Sequence, residues 1–197
     1  HRAPDQVARL VRTIRRLSPD SFILVGHDGR RVALARRDLP DLPRIDLFAV
    51  RGAIERGELS VLEPYFQAIR HLAAERIPYD WLVYLSGQDY PTRALVACEA
   101  ELTSSSADGF LSYWDAFEPE NPWGRRRQGV VRYGYRYRLL KGWLATVLTP
   151  LRALNGVQHW LHLHRTYGTR IGVRARRTPF HDVFRCYAGS RWTTLRR

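Results

Sequence analysis

Methionine is absent from the chain, lysine occurs once, at position 141, and cysteine occurs twice. Each shortage excludes something. Without a methionine, His1 is not the first residue of a translation product, so the 197 residues are expected to be a piece of a larger protein. Cys98 and Cys186 lie far apart in sequence, which leaves neither a disulfide framework nor a cysteine-rich zinc site. The longest apolar run, Gly142 to Leu151, is about half of the ~20 residues that a bilayer crossing needs. No signal peptide opens the chain. There is no glycine-rich phosphate loop and no Gly-x-Ser-x-Gly nucleophile elbow. No Asp-x-Asp pair occurs either, so the acidic clamp that holds a divalent metal against a diphosphate is not encoded in this stretch.

Arginine is abundant. Apart from Lys141, all of the 32 cationic residues are arginines, and the formal net charge is +13. With 45% hydrophobic residues, the chain is too apolar for a disordered basic tail and can bury a core. Its length reads as one domain on a soft prior of roughly 150 residues per domain. The charge is uneven: Arg125 to Arg127, Arg132, Arg136, Arg138, Lys141, Arg174, Arg176 and Arg177 all fall in the second half. A basic surface attracts phosphate whatever the sequence. Yet no helix-turn-helix, RNA-binding or zinc-finger signature accompanies it. For most of these arginines a solvated face is the ordinary explanation. A few could clamp a small diphosphate, such as that of a nucleotide sugar, because guanidinium pairs with phosphate in a bidentate way and can replace a metal there. Anionic lipid is a further candidate partner.

Hydrophobic periodicity predicts the elements. Val7, Leu10, Val11, Ile14 and Leu17 mark an amphipathic helix that begins near Pro4 and Asp5. Phe22 to Val25 is a continuous apolar run of the kind a buried parallel strand gives, and Leu47 to Val50 is a second. Ser60 and Glu63 have capping-box spacing before a helix with Val61, Leu62, Tyr65, Ile69 and Leu72 on one face. Trp81 to Leu85 reads as a strand, Leu95 to Leu102 as a short helix and Phe110 to Tyr113 as another strand. The pattern predicts an α/β fold with a mostly parallel sheet flanked by helices. Trp114 to Gln128 reads as a polar loop. Trp143 to His164 is expected to be a helix interrupted by Pro150 and Asn155-Gly156. Its Trp143, Leu144, Val147, Leu148 and Leu151 could face the core or a membrane surface, and the core is preferred.

In open parallel sheets ligands bind at the carboxyl ends of strands, and two carboxylates are expected there. Asp28 follows the first apolar run and Asp89 follows Trp81 to Leu85. The ordinary explanation is equally available for both: Asp28 makes a turn beside Gly29, and Asp89 caps the next helix. His159, His162 and His164 look like a metal cluster. On a helix, however, positions five apart do not share a face and no carboxylate is close in sequence, so zinc is not expected.

Asp80-Trp81-Leu82-Val83-Tyr84-Leu85-Ser86-Gly87-Gln88-Asp89-Tyr90-Pro91 closely resembles the hallmark stretch of the core-2/I-branching glycosyltransferases, a family of branching N-acetylglucosaminyltransferases and peptide O-xylosyltransferases. Other pieces are similar in order along essentially the whole chain. They are His1 to Val7, Val25-Gly26-His27-Asp28, Arg56-Gly57-Glu58-Leu59-Ser60 (with arginine where the family has tryptophan) and Gly189-Ser190-Arg191-Trp192-Thr193-Thr194-Leu195. The resemblance implies a single GT-A-like domain, incomplete at both ends, that carries out inverting, metal-free transfer of GlcNAc or xylose from a UDP-sugar to a glycan, peptide or small-molecule acceptor. It places His27, Asp28, Gly57 and Glu58 at the donor, with Asp28 on the uracil or ribose. Ser86, Gly87, Gln88 and Asp89 would line the sugar pocket. Arg132, Tyr133, Gly189, Ser190 and Trp192 would lie near sugar or acceptor, although Arg132 and Tyr133 are also explained by a solvated loop and Trp192 by the core.

The family's general base would follow Arg197 and its first strand would precede His1, leaving an unpaired edge or gap in the sheet and a fragment that is inactive alone. No cofactor and no specific nucleic acid are implied. Location would be cytoplasmic with possible peripheral membrane contact in a bacterium, or the Golgi membrane in a eukaryote. The competing class is a basic module that binds nucleic acid or anionic lipid through Arg125 to Arg138 and the tyrosines interleaved there.

Overall fold

The computed structural model describes residues 3–30, 33–55, 59–118, 122, 128–165 and 168–197. Arg56, Gly57, Glu58 and Arg125 to Arg127 therefore lie outside the described residues. The fold is mixed α/β, and the chain divides into two compact units, His1–Leu111 with Arg191–Arg197, and Ser112–Ser190.

The first unit begins with helix α1 (Pro4–Leu17). Pro4 presets the first turn, Asp5 sits at the positive end of the helix dipole, and Arg15 and Arg16 sit at the negative end. The expected apolar stripe is the buried one: Val7 and Val11 pack with Ile23, Val25, Leu34 and Leu39 in the core of this unit. Strand β1 (Ile23–His27) pairs in parallel with β2 (Ile45–Ala49), Val25 lying opposite Leu47. Helix α2 (Glu63–Ala74) follows, and His71 Nε2 meets Asp46 Oδ2 of β2 at 2.7 Å. Strand β3 (Trp81–Val83) and helix α3 (Leu95–Ser104) complete the run of expected elements.

Ser60 is not the cap of α2. Its hydroxyl accepts from the Glu55 N–H at 3.0 Å, and Leu62 occupies the cap position. Pro64 in the first turn supplies the start signal instead, and Glu63 pairs with Arg70.

The mostly parallel sheet does not form among the described residues. Strand β8 (Tyr187–Arg196), from the end of the chain, lies between β3 and β4 (Gly109–Asp115) and runs antiparallel to β3. Consecutive strands β3 and β4 are thereby kept apart, and β1–β2 is left as a two-stranded parallel pair.

In the second unit the stretch expected to be one interrupted helix becomes three elements. Helix α5 (Trp143–Val147) is followed by 3₁₀ turns over Thr149–Gly156 and by strand β6 (Leu161–His164). Before them come helix α4 (Gln128–Tyr133) and strand β5 (Tyr135–Leu139), and after them β7 (Arg170–Arg174). Strands β5, β7 and β6 form an antiparallel sheet in that order. Pro150 and Asn155-Gly156 break the helix, and polar side chains stop it from resuming. Asn155 brackets Leu163, donating Nδ2–H to its carbonyl and accepting its N–H, both at 2.9 Å, while Gln158 does the same for Leu161. These amide groups satisfy the free edge of β6, so the segment is held without burying its apolar side chains. The preference for core packing is corrected accordingly: Trp143, Leu144, Val147 and Leu151 are exposed.

Candidate functional site

The first unit contains a cleft of about 2480 Å³. Its walls include Ile23 to Gly26 of β1 and Trp81 to Val83 of β3, each strand having a strand neighbour on one side alone among the described residues. Asp28, just past β1, and Ser86 to Asp89, past β3, also line it. Two segments chosen from sequence as strand-end loops are thus brought to one cavity.

Asp28 carries a bidentate ion pair. Arg30 Nη2 donates to Oδ2 at 2.6 Å, Arg30 Nε donates to Oδ1 at 2.8 Å, and the Arg30 N–H adds a bond to Oδ1 at 3.2 Å. The side-chain bond from Arg30 is the largest cause that holds the Asp28 carboxyl at about 2, below the ordinary carboxylate range. Asp28 is therefore an ionised acceptor whose partner, Arg30, also lines the cleft. Sequence reasoning passed over Arg30. The signal was the Asp-Gly-Arg spacing, in which a glycine turn lets a guanidinium fold back on a carboxylate two residues earlier.

Asp89 closes its own turn and does not cap α3. Oδ2 accepts the Ser86 N–H at 2.5 Å, and the Asp89 N–H donates to the Ser86 carbonyl at 3.1 Å. The same Oδ2 accepts from Trp192 Nε1 at 2.8 Å, so the tryptophan of the last strand fixes the turn through its indole N–H. Its ring is neither core nor free, being 44% exposed. The next residue, Tyr90, shares a hydrogen bond with Thr13 of α1 at 2.9 Å, which ties the turn to the helix whose apolar face also lines the cleft.

Other expected site residues are not among those that line the cleft. His27 is buried at 5% exposure and is not among the cleft-lining residues. Arg132, Tyr133, Gly189 and Ser190 belong to the second unit. Tyr133 packs edge-on against Phe180, with ring centroids 5.9 Å apart, and burial pushes its phenol up. Gly189 has a packing reason: a Cβ there would lie 2.5 Å from the Ser112 carbonyl oxygen, so any side chain would part β8 from β4.

His162 and His164 stand two apart on β6, which places them on one face, whereas His159 precedes the strand. Among the described residues no group of three His, Cys, Asp or Glu side chains could hold a metal ion. His162 is engaged otherwise. Tyr137 and His162 flank Gly172 in register across the sheet, and a Cβ on Gly172 would meet the Tyr137 ring at 2.5 Å. Glycine lets the phenol cross the middle strand, donate to the Val131 carbonyl at 2.7 Å and meet His162 Nδ1 at 2.8 Å.

Comparison of the chain with protein-family models, with curated proteins and with solved structures finds no match in any of the three.

Proposed function

We propose that the cleft binds a UDP-sugar and that the protein is an inverting, metal-independent glycosyltransferase of GT-A-like design, similar to the core-2/I-branching enzymes. One observation carries the reading. The Ser86-Gly87-Gln88-Asp89 turn, which bears the family-like motif, lines the same cleft as Asp28, at the carboxyl ends of β3 and β1.

In this reading Asp28 accepts hydrogen bonds from the uridine, and Arg30 answers the charge of the diphosphate. The Asp89 turn, held by Trp192, presents Ser86 and Gln88 to the hydroxyls of the transferred sugar. A carboxylate within hydrogen-bond reach takes the proton of the acceptor hydroxyl. The acceptor oxygen then displaces UDP in line from the anomeric carbon. Cationic side chains aimed at the leaving diphosphate stabilise the charge that builds there.

The test is ligand-observed NMR on the 197-residue chain, in EDTA, with UDP, UDP-GlcNAc and UDP-xylose against ADP and GDP. Saturable binding that prefers uridine nucleotides supports the reading. Equal response to all nucleotides, or displacement of every one by duplex DNA, would assign the chain to the basic binding class.

A further inference from the structure

The charge and the exposed apolar residues of the second unit coincide, and the coincidence does not depend on the reading of the cleft. Residues 121–181 contain thirteen Lys and Arg residues and not one Asp or Glu. The remaining 136 residues hold 19 cations and 19 carboxylates, so the entire net charge of +13 resides in this stretch. The same stretch contains α5, the 3₁₀ turns and the approach to β6, where Trp143 is 71% exposed, Val147 60%, Val157 80% and Trp160 63%. Lys141 and Arg152 are exposed among them, as are Arg136 and Arg138 on β5.

These apolar groups lie outside the core of their own unit, and Asn155 and Gln158 fasten the approach to β6 to that strand through amide hydrogen bonds. We propose that this surface docks on an anionic lipid bilayer, with Trp143, Val147, Val157 and Trp160 entering the headgroup and acyl boundary and the surrounding cations resting on lipid phosphates. Tryptophan and aliphatic side chains within a basic stretch of chain that holds no Asp or Glu are the composition of an interfacial anchor. Each cation near a negatively charged leaflet strengthens binding roughly fivefold. Charge selects this occupant over the others. A second copy would set one uncompensated basic surface against another. A nucleic acid would satisfy the arginines but would leave Val147 and Val157 against phosphate and water.

Flotation of the full chain with phosphatidylcholine vesicles, with and without about 30% phosphatidylglycerol, tests the proposal at ~0.1 and ~0.5 M salt. The expected result is flotation with the anionic vesicles, weakened by salt and reduced at least about tenfold in the double variant Trp143→Ser/Trp160→Ser. Both side chains are exposed, so circular dichroism of the variant should match the parent. Brominated lipids provide a second measurement that needs no variant, because they should quench part of the parent's tryptophan fluorescence. Failure to float with anionic vesicles, or flotation without quenching and with no loss in the double variant, would overturn the proposal. Preference for a DNA duplex over vesicles, or a dimer in sedimentation that dissolves in the double variant, would overturn it in favour of those partners.

Discussion

Replacing Arg15 by methionine is expected to cost the first unit about 3 kcal/mol, because this buried cation joins α1 to the starts of β1 and β2. Arg15 is 9% exposed. Its Nη1 donates to the carbonyls of Pro19 at 2.6 Å and Ser21 at 2.8 Å, and its Nη2 to those of Pro43 at 2.8 Å and Arg44 at 3.1 Å. The Arg44 carbonyl also accepts the Ile23 N–H at 2.9 Å and so keeps a partner. The other three lose theirs. An orphaned buried carbonyl costs about 1–3 kcal/mol, and these belong to residues near the surface that water can reach, which selects the lower end, about 1 each.

Methionine fills the space of the arginine stem, so little cavity cost is added. Lysine keeps the charge, but one ammonium cannot span four carbonyls, and Arg15→Lys should recover less than half of the loss. A urea titration followed by circular dichroism gives the free energies directly. In a thermal scan about 3 kcal/mol corresponds to a drop of roughly 6–12 °C for a chain of this size. A loss under about 1 kcal/mol at an unchanged denaturant slope would refute the reasoning, since the four bonds would then be replaceable by water.

Three further outcomes are expected. Arg30→Ala should return the Asp28 carboxyl from about 2 to the ordinary carboxylate range, read by NMR titration. Because the folded value is the depressed one, the pair's contribution is full above the ordinary range and fades as pH falls toward 2, and an unmoved titration would show that Arg30 is not its cause. Gly189→Ala should destabilise the protein by about 1–3 kcal/mol in thermal unfolding, because its Cβ would meet the Ser112 carbonyl, and no change would leave Gly189 to an acceptor role alone. His162 and His164 are held below the ordinary imidazole range, first by burial, then by each other for His162 and by Arg132 and Arg170 for His164. The unfolded chain therefore binds protons first, so stability should fall as pH drops below about 6.5, and His162→Gln/His164→Gln should flatten that slope.

Where one element's own pattern decides its structure, the sequence was readable. The α1 stripe, the two apolar runs that pair in parallel and the turn after Trp81 to Leu85 are all set by residues a few positions apart. Partners far along the chain were not readable. Nothing in Gly189 to Arg197 says that it will lie between β3 and β4, and that insertion is what turns the sheet antiparallel. Trp143 to His164 misled because its apolar residues suit a buried helix, whereas the deciding groups are the amides of Asn155 and Gln158. At the candidate site both carboxylates were found, but their partners were not. Arg30 is local and could have been seen, while the bond from Trp192 to Asp89 spans 103 residues and leaves no trace in spacing.

Photoaffinity labelling with 5-azido-UDP-GlcNAc, followed by peptide mass spectrometry of the intact chain, tests the cleft most directly. The expected result is label on peptides from residues 23–30 and 84–91, protected by excess UDP and much reduced in Asp28→Asn. Label confined to the basic stretch 128–177, or label that UDP does not protect, would contradict the assignment of this cleft to a sugar nucleotide.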